Sequence, residues 1–134
     1  QVLNYVNLLA TKGNSPTCHF VFVDNLPNNV KPVFNNDIWD NIHEGLREAI
    51  VGENGTGKKA NLNLEGFNLY GKTGTAENSH GDDHAWFVGW ADYKNKKHSI
   101  VILLENAGSG GAVAAPMARK VFSKLILKNE LVFK

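Results

Sequence analysis

Apolar side chains recur at Val2, Leu3, Val6, Leu9 and Ala10. Steps of three and four residues put them on one helical face. Gly13 follows as the expected C′ residue that closes the helix. Cys18, His19, Phe20, Val21, Phe22 and Val23 then form a short apolar run of β character. Residues 25–36 hold two Pro and five Asn and read as a connection. Asp37 is the expected N-cap of a second helix with apolar positions at Trp39, Ile42, Leu46, Ala49 and Ile50. Gly52 ends it, and residues 52–59 read as a polar, glycine-rich loop. From Phe67 the pattern changes, and residues 67–77, 84–92 and 98–105 read as three strands. The five-residue link 93–97 predicts an antiparallel hairpin with Lys94, Lys96 and Lys97 at its solvated tip. A glycine-rich turn over 106–111 leads into a final helix over 112–127. Pro116 is tolerable there because it lies near the first turn. The apolar stripe is read as Val113, Met117, Val121 and Leu125, with Phe122 and Ile126 beside it. Helix, strand, helix, three strands, helix predicts an α+β fold: an antiparallel sheet with helices packed on it.

Composition narrows the function classes. The chain has 134 residues, 43% hydrophobic and 20% charged, which suits one globular domain. A net charge of +1 with no Lys/Arg cluster argues against nucleic-acid binding. The lone Cys18 excludes an intrachain disulfide and a multi-cysteine metal site. The chain opens on Gln1 and its only Met is Met117, so an upstream segment is expected.

Two phosphate-loop patterns are present and both sit in the wrong context. Residues 66–73, Gly-Phe-Asn-Leu-Tyr-Gly-Lys-Thr, match in full but read as strand with no helix after them. Residues 52–58 nearly match, but follow a helix, and Lys59 replaces the hydroxyl residue. His80, Asp82, Asp83 and His84 have metal-binding side chains. Their place between two strands reads as a solvated loop.

Lys72-Thr73-Gly74-Thr75 carries more. Strand alternation puts Thr73 and Thr75 on one face. Gly74 between them lets a ligand or backbone approach closely. A Lys with two hydroxyls on one strand suits a carboxylate, since charge and directional donors combine. A backbone N–H on an exposed strand edge suits an oxyanion.

The surrounding residues extend this segment. Ala76-Glu77 follow it, then residues 84–91 (His-Ala-Trp-Phe-Val-Gly-Trp-Ala), 99–106 (Ser-Ile-Val-Ile-Leu-Leu-Glu-Asn) and 110–116 (Gly-Gly-Ala-Val-Ala-Ala-Pro). This series resembles the C-terminal part of the transpeptidase domain of class B penicillin-binding proteins. It is most similar to the elongation type, penicillin-binding protein 2. Residues 39–46 (Trp-Asp-Asn-Ile-His-Glu-Gly-Leu), Gly55-Thr56-Gly57 and the opening Gln1-Val2-Leu3-Asn4-Tyr5 extend the likeness over nearly the whole chain.

The family works with three motifs, SxxK, SxN and KTG. Only KTG is here. None of Ser15, Ser79, Ser99, Ser109 and Ser123 has Lys three residues on or Asn two residues on. The resemblance therefore implies that residues 1–134 are a C-terminal fragment of the domain and that the nucleophile lies in a missing N-terminal part. It implies a parent serine-type D,D-transpeptidase on the periplasmic side of the inner membrane, membrane-bound only through a missing N-terminal anchor. The parent would cross-link stem peptides ending in D-Ala-D-Ala through an acyl-enzyme, and would bind β-lactams. In that setting Lys72 assists proton transfer and attracts the carboxylate. Thr73 and Thr75 hold that carboxylate, Gly74 leaves room for the ligand, and the Thr75 N–H forms half of the oxyanion hole. No metal or organic cofactor is implied. Further strands of the family's sheet would belong to the missing part, leaving a sheet edge uncovered here. A serine β-lactamase, a β-lactam sensor domain and a non-catalytic binding fragment are the alternatives.

Overall fold

The computed structural model describes residues 1–14 and 34–132. The expected strand at 18–23 lies outside the described residues. So does all but the end of the 25–36 connection. The elements are α1 (Val2–Ala10), α2 (Asn36–Val51), β1 (Asn68–Ala76), β2 (His84–Tyr93), β3 (Lys96–Leu104) and α3 (Ala115–Val132). A 3-10 turn, Lys58–Ala60, precedes β1, and a π-helical turn, Gly110–Ala114, leads into α3.

The three strands form an antiparallel meander in the order β1-β2-β3. Thr73 faces Phe87, Thr75 faces Ala85, and Trp86 faces Leu103 across the ladder. The expected five-residue link is a two-residue turn, Lys94-Asn95, with φ of 48° and 61°. Two left-handed residues in succession match the right-handed twist of the flanking strands, so pairing continues to the turn. Lys96 and Lys97 are consequently strand residues, and Lys97 Nζ donates to both oxygens of Asp92 at 2.8 Å.

One sheet face carries Leu69, Ala85, Phe87, Ala91 and Ile102, buried against Ala114, Ala115, Ala118, Phe122 and Ile126, with Ile50 from α2 in the same cluster. The stripe expected on the last helix is thus rotated. Met117 and Val121 are exposed, and the small residues Ala114, Ala115 and Ala118 face the sheet. Their size lets the helix backbone approach the strands, with Phe122 and Ile126 filling the wider end. The other face packs Trp90 against Val6 and Ala10 of α1. Trp90 stacks on Tyr70 at 5.0 Å and lies 5.0 Å from the His43 ring. Its indole nitrogen is buried with no hydrogen-bond partner among the described residues.

Both helix ends near α1 differ from expectation by one or two residues. Lys12, with φ of 50°, takes the C′ position, and Gly13 the next. Gly13 N–H donates to the Leu8 carbonyl at 2.8 Å and Lys12 N–H to that of Leu9 at 3.3 Å, the paired bonds of a Schellman ending. Asn35, rather than Asp37, caps α2, its side chain accepting from Ile38 N–H at 3.0 Å. Phe34 packs edge-on against Trp39 at 5.3 Å, which pins the chain before the helix and fixes the cap at Asn35. Asp37 falls in the first turn, where it faces the positive end of the helix dipole. Lys12 Nζ reaches Asp40 at 2.6 Å and joins the two helices.

Candidate active site

Among the described residues β1 is an edge strand, and its outer side carries the Lys72-Thr73-Gly74-Thr75 segment. Neither phosphate-loop match has the required surroundings. Lys72 lies within a strand, and Gly52 is the C-cap of α2. Side-chain donors mark which backbone groups of β1 point outward. Arg47 donates to the Leu69 carbonyl at 3.1 Å, and Lys72 Nζ to the Thr73 carbonyl at 2.8 Å. In an antiparallel ladder the N–H and C=O of one residue point to the same side and alternate along the strand. Residues 69, 71, 73 and 75 therefore turn their backbone outward. The Thr75 N–H is directed away from β2, onto the open edge.

The two threonines share a face, as alternation requires, but not an environment. Thr73 is 8% exposed, and its Oγ1 lies 2.6 Å from Thr56 Oγ1. Thr75 is exposed, and its Oγ1 accepts from Gly110 N–H at 3.3 Å. Since that N–H occupies a lone pair, the Thr75 hydroxyl hydrogen is left to donate. The absent side chain of Gly74 makes room for Trp86, whose Cβ would sit 3.3 Å from an added methyl group. A methyl group on Gly110 would meet the carbonyl oxygens of Gly74 and Trp86 at 2.3 and 2.4 Å. Only glycine brings the π-helical turn this close to the strand.

A cavity of 480 Å³ opens beside Lys72, lined by Gly45, Glu48 and Ala49 of α2 and by the 52–56 loop. At the far end of the strand, two loops are tied together. Asn78 Nδ2 donates to Asn106 Oδ1 at 2.6 Å, and the Asp83 carbonyl accepts from Ala107 and Gly108 N–H at 2.9 Å each. His84 Nδ1 accepts from Asn106 N–H at 3.0 Å, and His80 Nδ1 pairs with Ser79 at 2.8 Å. The His80–His84 segment thus fastens one loop to the other. No group of three or more His, Cys, Asp or Glu side chains among the described residues is placed to hold a metal ion.

Thr56, Gly110, Asn78 and Asn106 carry this arrangement and were not singled out by chemistry in the sequence. Thr56 meets Thr73 across 17 residues and Gly110 meets Thr75 across 35. Periodicity carries no information over such separations. The one sequence signal is the place of Thr56, Asn106 and Gly110 within the segments that carry the family likeness.

Comparison with known proteins settles the family. The penicillin-binding protein transpeptidase domain model matches residues 1–123. The chain belongs to this family. Peptidoglycan D,D-transpeptidase MrdA of Haemophilus influenzae is 38% identical over 98 residues, covering 62% of this chain and 15% of the relative. MrdA of Salmonella typhimurium is 46% identical over 43 residues, covering 32% of this chain and 7% of the relative. Penicillin-binding protein 2 of Pseudomonas aeruginosa, solved in complex with WCK 5153, superposes with a TM-score of 0.66 at 29% identity. That match covers 90% of this chain and 27% of the solved one. The likeness to class B, elongation-type proteins and the partial α+β fold are both borne out. The chain spans well under a third of the proteins it matches.

Proposed function

We propose that this penicillin-binding-protein chain supplies one wall of the active site of a peptidoglycan D,D-transpeptidase, and that the rest of the site comes from a part of the protein outside residues 1–134. The observation that carries this reading is the open edge of β1, where Lys72, the Thr75 hydroxyl and the outward Thr75 N–H lie on one short stretch.

The chemistry is acyl transfer in two steps. A serine outside this chain attacks the carbonyl of the penultimate D-Ala, and the terminal D-Ala leaves as the amine. A neighbouring stem-peptide amine then attacks the ester, forming the cross-link and freeing the serine. Lys72 supplies positive charge for the substrate's terminal carboxylate and assists proton transfer across the cleft. The Thr75 hydroxyl donates to that carboxylate, and Thr73 contributes beneath it. The Thr75 N–H donates to the oxyanion of each tetrahedral intermediate, where charge develops and a preorganised donor is worth most. A β-lactam takes the substrate's place and stops at the acyl-enzyme. The site of action is the periplasmic face of the cell envelope, where the stem peptides are.

The test is covalent labelling of the full-length protein with a fluorescent penicillin, followed over time. A stable adduct that forms far more slowly in Lys72→Ala supports the reading. An adduct that hydrolyses within minutes makes the protein a β-lactamase. No adduct in the full-length protein overturns both.

A further inference from the structure

The 52–57 loop, which no catalytic role claims, is built to present one hydroxyl to β1. Gly57 N–H donates to the Ala49 carbonyl at 2.9 Å, locking the loop onto the end of α2. A methyl group on Gly55 would meet that carbonyl oxygen at 2.7 Å, so the loop lies against the helix backbone. From the other side, a methyl group on Gly111 would meet the Thr56 carbonyl oxygen at 2.9 Å. Thr56 is thereby held between α2 and the π-helical turn, with Oγ1 2.6 Å from Thr73 Oγ1. Thr56 also lines the same cavity as Lys72.

A hydroxyl has one hydrogen to give. Each threonine of the pair either donates to the other or accepts from it. If Thr73 donates to Thr56, it has nothing to offer a carboxylate, which only accepts. If Thr56 donates to Thr73, the Thr73 hydrogen is released. The two states exchange by rotating two hydroxyls, with no heavy atom moving. We infer that Thr56 is a positioning residue whose hydroxyl, by donating to Thr73 when an anionic ligand arrives, turns Thr73 into a carboxylate donor. The pair relays recognition of a ligand carboxylate from the 52–57 loop to β1. This rests on the reading of β1 as the carboxylate-binding strand.

The experiment crosses a protein change with a ligand change in the full-length protein. Second-order acylation rates are measured with a fluorescent penicillin bearing its free carboxylate and with its methyl ester, for the parent, Thr56→Val, Thr56→Ser and Lys72→Ala. Removing a relayed hydrogen bond should slow Thr56→Val by roughly 3- to 30-fold on the free carboxylate. On the ester the same substitution should cost less than about twofold, because the acceptor has lost its charge. Thr56→Ser, which keeps the hydroxyl, should recover most of the rate. Equal slowing on both probes would make Thr56 a packing residue and overturn the inference, as would no slowing on either. If Thr56→Val does not fold, Thr56→Ala is read in the same way. Lys72→Ala separates the two levels: a parental rate there removes the strand's role altogether. Loss there with equal Thr56→Val effects on both probes removes the relay alone.

Discussion

Lys72→Ala in the full-length protein should slow acylation by a carboxylate-bearing penicillin about 10- to 150-fold, the worth of one charge-assisted hydrogen bond, with melting temperature unchanged. Lys72 is exposed and donates to its neighbour's carbonyl, so its loss leaves no buried gap. The two threonines should separate. Thr73→Val removes a buried hydroxyl contact and should cost about 0.5–1.5 kcal/mol of stability, seen in the urea midpoint. Thr75→Val should leave stability alone and slow acylation modestly, since its N–H remains. From alternation the pair reads as equivalent. What distinguishes them is Thr56 on one side and Gly110 on the other, and neither is near in sequence. Gly110→Ala should cost about 1–3 kcal/mol, because the clashing atoms are backbone oxygens that no rotamer change can move.

Among the elements, every helix and strand expected within the described residues is present, because long periodic segments report their own burial. Their ends were less legible. The cap of α2 depended on Phe34 meeting Trp39, and the rotation of α3 on how closely a sheet lets a helix approach. The rotation makes a direct prediction. Phe122→Ala should destabilise by about 3–5 kcal/mol, while Met117→Ser, on the exposed side, should change stability by less than about 0.5 kcal/mol. The α1–α2 joint has a pH signature. The hydrogen bond from Lys12 holds the Asp40 carboxyl below its usual range, with the lysine's charge adding to the effect. A lowered folded-state value means stability that is present above the unfolded carboxylate range and lost as pH falls through the folded value. Lys12→Met should flatten the acid limb of the stability profile below the ordinary Asp range of about pH 4, a small change because both side chains are exposed.

For the molecule as a whole, the outer side of β3 has no strand partner among the described residues, and Leu103 on that strand is 42% exposed. Tyr5 is 63% exposed on α1, beside the partly exposed Val2 and Leu3. Unpaired edges and apolar patches favour association. Residues 1–134 expressed alone should give light scattering that rises with concentration, and should form no covalent adduct with a labelled penicillin. A sharp, reversible melt of a monomer would count against the first expectation, and a labelled band on a denaturing gel against the second. Trp90 offers a way to watch this happen without a label. Its ring is sealed between α1 and the sheet, and its N–H has no polar partner among the described residues. An indole in such surroundings emits toward the blue, and wetting moves the emission red. Detachment of α1 would therefore change the colour of the protein's own fluorescence while the packing under α3 stayed intact.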